Sequence, residues 1–468
     1  MNVVECVGGR AEDGAYDRGR VCGGKRQGSI DRLDATTQKL CPWLRSLVHT
    51  VGTSLQKAQR PNATPFFVGA SSGSTTCSSP RMSILHAASN YSSTSSPFAS
   101  TALASDQEYV LSIARLPGAY TASASAPSNK IYIFDERTLR STHVLPGHTS
   151  GTTSLTTIES IANVGRPCLI SSGLDGSIQV WDERTNSYSI KMTNMGQTRG
   201  LLCCAVSTDG LTVAAGTQLQ GEDAHIIYWD PRQPAAPLRT HSSTHSDDVT
   251  VLRFSPAAPN LLLSASTDGL ICTSTADEDD EDEAVVHVGS WNCSVSNAGW
   301  IYSSPSSGAK IWGHSDMETF STWSDELDLR QSQDIRDPSL HNHAQHEWNT
   351  DYLISCHSSA TSPELKVFVG SNQGDFSLLS NADLSTPAAP WTLCKTWANG
   401  HSGVVRSLLY DEQNSVILSG GEDSKINLWK ANEEDNAMDV DSPPRASRDS
   451  RKRDREQEDD YDAKRARR

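Results

Sequence analysis

LISSGLDGSIQVWDER, residues Leu169–Arg184, is a short strand, an Asp-containing turn, a second strand, and then an aromatic followed by an acid. The same arrangement returns as LLSASTDGLICTSTAD at Leu262–Asp277 and as ILSGGEDSKINLWKAN at Ile417–Asn432. More divergent copies end in HIIYWDPR (His225–Arg232) and KIYIFDER (Lys130–Arg137). A histidine precedes three of the copies, in Gly147-His148, at His245, and in Gly400-His401. From about Tyr109 onward, short apolar runs alternate with turns rich in Gly, Asp, Asn and Pro, and no long helical period appears. Self-similarity at a period of ~40–45 residues marks a repeat architecture, in which each unit hides its apolar faces only against its neighbours.

These residues resemble the WD-repeat family, whose fold is the β-propeller. The resemblance implies a polar quartet in each well-kept repeat. In one repeat it is His148, Ser171, Asp175 and Trp181; in another it is His401, Ser419, Asp423 and Trp429. A third repeat keeps His245, Ser264 and Asp268 but has Ser274 where Trp is expected, so its brace should be weaker. The chemistry is local: an Asp buried in a turn needs donors, and the imidazole and backbone supply them. Ser, His and Asp also make a hydrolase triad, but no GxSxG is present and the set recurs from repeat to repeat. The quartets therefore read as bracing, with no catalytic residue expected.

Histidine spacing divides the repeats into seven blades: 109–148, 148–199, 200–245, 245–286, 287–340, 341–401 and 401–430. The fifth and sixth rest mainly on spacing. The seventh supplies only three strands, and Met82–Ala88 (MSILHAA) is the expected outer strand that closes the ring and removes a free sheet edge. The expected fold is all-β, one seven-bladed propeller over 81–432, with disordered segments at 1–80 and 433–468. The serine tracts Ser71–Ser79 and Ser92–Ser100 read as low-complexity and disordered, because they cannot bury enough apolar surface to offset ordering entropy. THSDDVTVLRFSP (Thr244–Pro256), STDGLI (Ser266–Ile271), QDIRD (Gln333–Asp337) and Gly400–Lys430 are similar to the subfamily of WD repeat-containing protein 89.

Composition narrows the function. Hydrophobic residues make up 36%, so part of the chain is not expected to pack. The net charge is −16, which disfavours a general nucleic-acid coat. The 11 cysteines include no CxxC, so zinc-ribbon and redox-pair readings fail and reduced intracellular thiols are expected. No apolar run reaches the ~18 residues of a membrane span, and the first 20 residues carry too many acids for a targeting peptide. No cofactor or metal is expected. His341, His343 and His346 lack the Cys or Glu companions of a metal site and read as a solvent loop.

Three charged motifs point to protein partners. Trp181-Asp182-Glu183-Arg184 and Trp229-Asp230-Pro231-Arg232 stand in adjacent repeats, with Phe134-Asp135-Glu136-Arg137 a weaker copy. Leu169–Arg184 is similar to the box of cullin-4 ubiquitin ligase substrate receptors. That resemblance implies adaptor contacts by Asp182, Arg184, Asp230 and Arg232; the alternative is that each Arg only braces a turn. Asp277–Glu283 is an unbroken acidic run, expected to extend as a solvated loop, and it suggests an alternative role as an acidic chaperone or assembly factor for basic proteins such as histones or ribosomal proteins. At the C-terminus, Lys452-Arg453 and Lys464, Arg465, Arg467 and Arg468 form two basic clusters ten residues apart. Such a pair on an extended chain reaches two acidic pockets of one import receptor, so a nuclear location is expected, for a scaffold expected to be a monomer inside a larger complex.

Overall fold

The computed structural model describes residues 85–431, apart from 186, 195–197, 303–309, 338–347 and 387–388. Ser71–Ser79, His341, His343, His346 and the basic residues from Lys452 to Arg468 therefore lie outside the described residues.

The fold is all-β: seven sheets in a closed ring, six of four strands and one of five. Blades one to six have their strands within 110–145, 152–193, 201–241, 249–290, 295–334 and 352–397; blade seven takes 405–430 and one strand from the N-terminal side. Within the four-stranded blades the strands run antiparallel, from the axis outward. The apolar core is not one mass but seven clusters, each shared by two neighbouring blades. Blades two and three meet through Ile170, Val180, Val213 and Trp229. Blades six and seven meet through Phe368, Phe376, Trp397, Ile417 and Trp429. Val110, Tyr120, Leu418 and Leu428 seal blade seven to blade one. Each sheet is thus covered on both faces, which explains why LISSG and ILSGG are buried at every residue where a half-exposed strand would alternate.

Ring closure departs from the expected arrangement. The strand near Met82–Ala88 is β1 (Leu85–Thr94), and it does not complete blade seven. It pairs in parallel with Trp391–Trp397 as a fifth strand on blade six. The outer strand of blade seven is β2 (Ala99–Ala102), antiparallel to Lys425–Lys430. The Ser92–Ser100 tract, expected to be disordered, contributes to both strands. The physical reason is that an outer strand needs backbone pairing more than apolar side chains. The ladder satisfies its N–H and C=O groups, and one buried anchor, Leu85, enters the core between blades five and six. The Tyr91 hydroxyl adds a bond to Thr396 Oγ1 at 3.2 Å.

The expected boundary between blades four and five, at 286/287, also moves. It would cut the strand Val285–Ser290, which is the outer strand of blade four, paired with Leu270–Thr275. The acidic run lengthens the connection before this strand and displaces it along the sequence, so even spacing misplaces it.

Because β2 covers the edge of Lys425–Lys430, a chain that begins at residue 104 leaves that edge bare. This truncation is expected to lower the melting temperature and promote aggregation, and a peptide of residues 85–103 added in trans should restore the melt. Equal melting with and without the segment would contradict the closure described.

Candidate functional site

Two of the quartets are assembled in full. His148 Nδ1 lies 3.0 Å from Asp175 Oδ1 and its Nε2 lies 2.7 Å from Ser171 Oγ, which also accepts from Trp181 Nε1 at 2.8 Å. In blade seven the corresponding distances are 2.9 Å (His401–Asp423), 2.8 Å (His401–Ser419) and 2.8 Å (Trp429–Ser419). Each histidine enters from the connection that precedes its blade, each Asp from the turn between second and third strands, and each Trp from the third strand. One quartet therefore ties an entering chain to two strands of a sheet. The glycine before each histidine is sterically required. A Cβ on Gly147 would sit 1.8 Å from the Asn129 carbonyl oxygen, and one on Gly400 would sit 2.3 Å from the Trp429 ring. The third quartet is shorter: His245 meets Asp268 at 3.2 Å and Ser264 at 2.8 Å, but Ser274 makes no bond to Ser264.

Burial alone would raise the Asp175 carboxyl. The His148 ring, the Ser177 hydroxyl and the Thr149 amide outweigh it and hold the group well below the usual carboxylate range. Burial is likewise overcome at Asp423, by His401 and the Ser402 amide, and at Asp268, by His245.

The Asp-x-Arg corners are built differently. Asp182 ends the third strand of blade two, and Asp230 follows the third strand of blade three. Arg184 curls back so that Nε reaches Asp182 Oδ1 at 3.0 Å and Nη2 reaches Oδ2 at 2.8 Å. Arg232 does the same to Asp230 at 2.8 and 2.7 Å. Both side chains are largely exposed, at 68% and 49%. The weaker copy has no such clasp: Thr138 donates its amide and hydroxyl to Asp135 instead. A further corner escaped the sequence reading. Arg336 clasps Asp334 within QDIRD, where the Asp-x-Arg spacing was the available signal. Asp334 ends an outer strand, and strand direction alternates across a blade, so this corner lies on the face opposite Arg184 and Arg232.

Blade five replaces the quartet with its own link. His314 Nδ1 is 3.1 Å from Ser296 Oγ and its Nε2 is 3.0 Å from Glu318, which also accepts the Leu353 amide of blade six at 2.8 Å. Glu318 adopts φ +60°, the left-handed conformation that glycine supplies in the matching turns at Gly176 and Gly269. These residues line the central channel, a polar cavity of about 680 Å³ walled by inner strands that include Ser112, Ser154, Thr250 and Arg406.

The acidic run is not an extended loop. Asp280 caps a single helical turn, α1 (Glu281–Ala284), and Glu281 turns inward to the connection after blade three. Self-repulsion loses here to four hydrogen bonds on one carboxylate. Among the described residues no group of metal-ligating side chains occurs, no helix is long and apolar enough to cross a membrane, and the seven described cysteines are free.

Repeated sheets, the quartets and the closed ring define a WD-repeat β-propeller. The sequence matches the family described as WD domain, G-beta repeat, over 139–182, 236–272 and 391–430. Each matched segment runs from the outer-strand region of one blade into the inner strands of the next, so the repeat itself bridges two sheets. The chain carries WD-domain repeats in a seven-bladed propeller, and it is similar to WD repeat-containing protein 89 homolog of Dictyostelium discoideum, 27% identical over 327 residues, covering 70% of this chain and 84% of the relative. It is also similar to an uncharacterized WD repeat-containing protein of Saccharomyces cerevisiae, 32% identical, covering 56% of this chain and 64% of the relative. WD repeat-containing protein GTS1 of Arabidopsis thaliana is 28% identical, with 57% and 67% covered.

The depressed carboxyls give a signed pH dependence. Their stabilisation is complete above the unfolded-state pKa of about 3.9 and is lost as pH falls through the lower folded values. Asp175→Asn and Asp423→Asn are each expected to cost about 2 kcal/mol at pH 7, from a buried donor left poorly paired. The double variant should show a flatter loss of stability below about pH 4 than the wild type. Urea melts at pH 7 and pH 3 check both statements, and parallel acid limbs would contradict the assignment.

Proposed function

We propose that this protein is a non-catalytic interaction scaffold whose corners on blades two and three engage an adaptor subunit, in the manner of a substrate receptor of a cullin-4 ubiquitin ligase. The observation that carries the reading is the pair of clasped arginines. Each Asp takes the Nε/Nη2 edge of its guanidinium, and this leaves the edge with Nη1 for a partner, on side chains that are exposed. A planar fork held this way has lost little further freedom to give up on binding and can take a second acceptor bidentately. The two corners share one face and belong to neighbouring blades, so one partner surface spans both. The His, Ser and Asp groups that could do chemistry are engaged in bracing, which supports a scaffold over an enzyme. A rigid disc with exposed loops suits that role.

Arg184→Ala combined with Arg232→Ala is expected to abolish co-purification of the cullin-4 adaptor while the melting temperature stays within about 2 °C of wild type, because exposed pairs contribute little to stability. Undiminished co-purification would reject the contact.

The same reading places the protein in the nucleus, on the strength of Lys452-Arg453 and Lys464–Arg468. Truncation after Asp441 is expected to shift a fluorescently tagged chain to the cytoplasm; an unchanged nuclear signal would remove the import signal from the account.

A further inference from the structure

The connection after blade three presents an unusual number of hydrogen-bond donors to one point. The amides of Ser242, Ser243 and Thr244 all point to the Glu281 carboxylate, at 2.8, 2.8 and 2.6 Å, and the Thr244 hydroxyl joins them at 2.6 Å. Arg239 stands beside them and holds Asp279 through Nε at 2.9 Å, while its Nη1 bonds to the Ala276 carbonyl. Successive backbone amides aimed at one carboxylate make an anion site, and the guanidinium holds a second carboxylate next to it, both of them around His241. Here the occupying anions come from the chain itself, from the acidic insertion of the next blade.

The insertion sits on this site at a cost. Beneath it, His241 is 2% exposed with no partner for Nε2, and the buried hydroxyls of Tyr228 and Ser274 face each other. His241 packs edge-on to Tyr228 at 5.0 Å and touches the backbone of Glu278, and the Arg239 guanidinium lies over the same Tyr228 ring. Of the seven consecutive acids, only Asp279 makes an ion pair among the described residues, and only Glu281 is drawn inward. The others stay exposed and repel one another. Strong donors below and repulsion above describe a cover that holds locally and opens at modest cost.

We propose that the Arg239–Thr244 segment is a binding site for a phosphate monoester and that the acidic insertion Asp277–Ala284 is its tethered competitor. The three terminal oxygens of one phosphate can take over both the donors that hold Glu281 and the guanidinium that holds Asp279, and His241 Nε2 becomes available to the same ligand when the insertion lifts. The tether sets a high effective concentration of the carboxylates, so free ligand binds weakly until the insertion is weakened or displaced.

Asp279→Asn with Glu281→Gln removes the competing charges without shortening the chain. Titration calorimetry of the full chain with inorganic phosphate, against chloride at equal ionic strength, should show at least about tenfold tighter binding in this variant than in wild type, equivalent to about 1.4 kcal/mol. Adding Arg239→Gln should return the affinity to the wild-type level. A phosphoserine hexapeptide and its unphosphorylated twin distinguish the source: tighter binding of the phosphopeptide than of inorganic phosphate assigns the site to a modified partner chain, and the reverse assigns it to a free phosphate ester. No gain in phosphate affinity overturns the proposal. Should the variant not fold, wild-type protein decides: phosphate at about the millimolar effective concentration of the tether should speed amide exchange across 278–284, and unchanged exchange overturns the proposal equally.

Discussion

Every sheet in this molecule is apolar on both faces, and that single constraint organises the rest. A blade with Ile170, Val180 and Met192 on one side and Leu155, Leu169 and Trp181 on the other has no face to show water. Neighbours must cover both, and a row of such sheets ends only by meeting itself. Closure therefore is not an embellishment of the fold but the condition under which blades one and seven become stable at all. It falls to Val110, Tyr120, Leu418 and Leu428, and to β2 along the outer edge.

Within that frame the polar quartets have a narrower task. They do not hold blades together; the apolar clusters do. Each quartet fixes the path by which the chain leaves one blade and enters the next, with a His from the connection, an Asp from a turn and a Trp from a strand. Blade five shows that the task can be met otherwise, since Glu318 reaches from a strained turn to the Leu353 amide and couples blades five and six directly. The acidic insertion makes a comparable bridge at the outer edge between blades three and four. Polar groups at these joints decide which connections are stiff and which can open, and so where partners can act.

Much of this was legible in the residues. LISSGLDGSIQVWDER carries its strands, its turn and three of its quartet members in order, and a second complete copy near Ile417 locates the last blade. What was not legible shares a cause: it depends on pairing partners distant in sequence. Nothing in ASNYSST distinguishes a strand from a disordered serine tract, because its order comes from the ladder with Trp391–Trp397. DEDDEDE is a solvated loop by composition, and only the donors gathered at Ser242–Thr244 make Glu281 an exception. The Asp334–Arg336 corner was present as spacing but lacked the preceding Trp that made the other two conspicuous.

The most direct test of closure as one unit is the hydrogen exchange of the indole N–H groups of Trp181 and Trp429, followed by NMR in the ¹⁵N-tryptophan-labelled full chain. Both donate to a buried serine, one in blade two and the other in the blade that seals the ring. If the ring stands or falls together, the two protons exchange with the same high free energy of opening, that of global unfolding. Exchange at Trp429 that is faster by orders of magnitude, with Trp181 still protected, would mean that blade seven opens alone and that the ring does not stand as one closed unit.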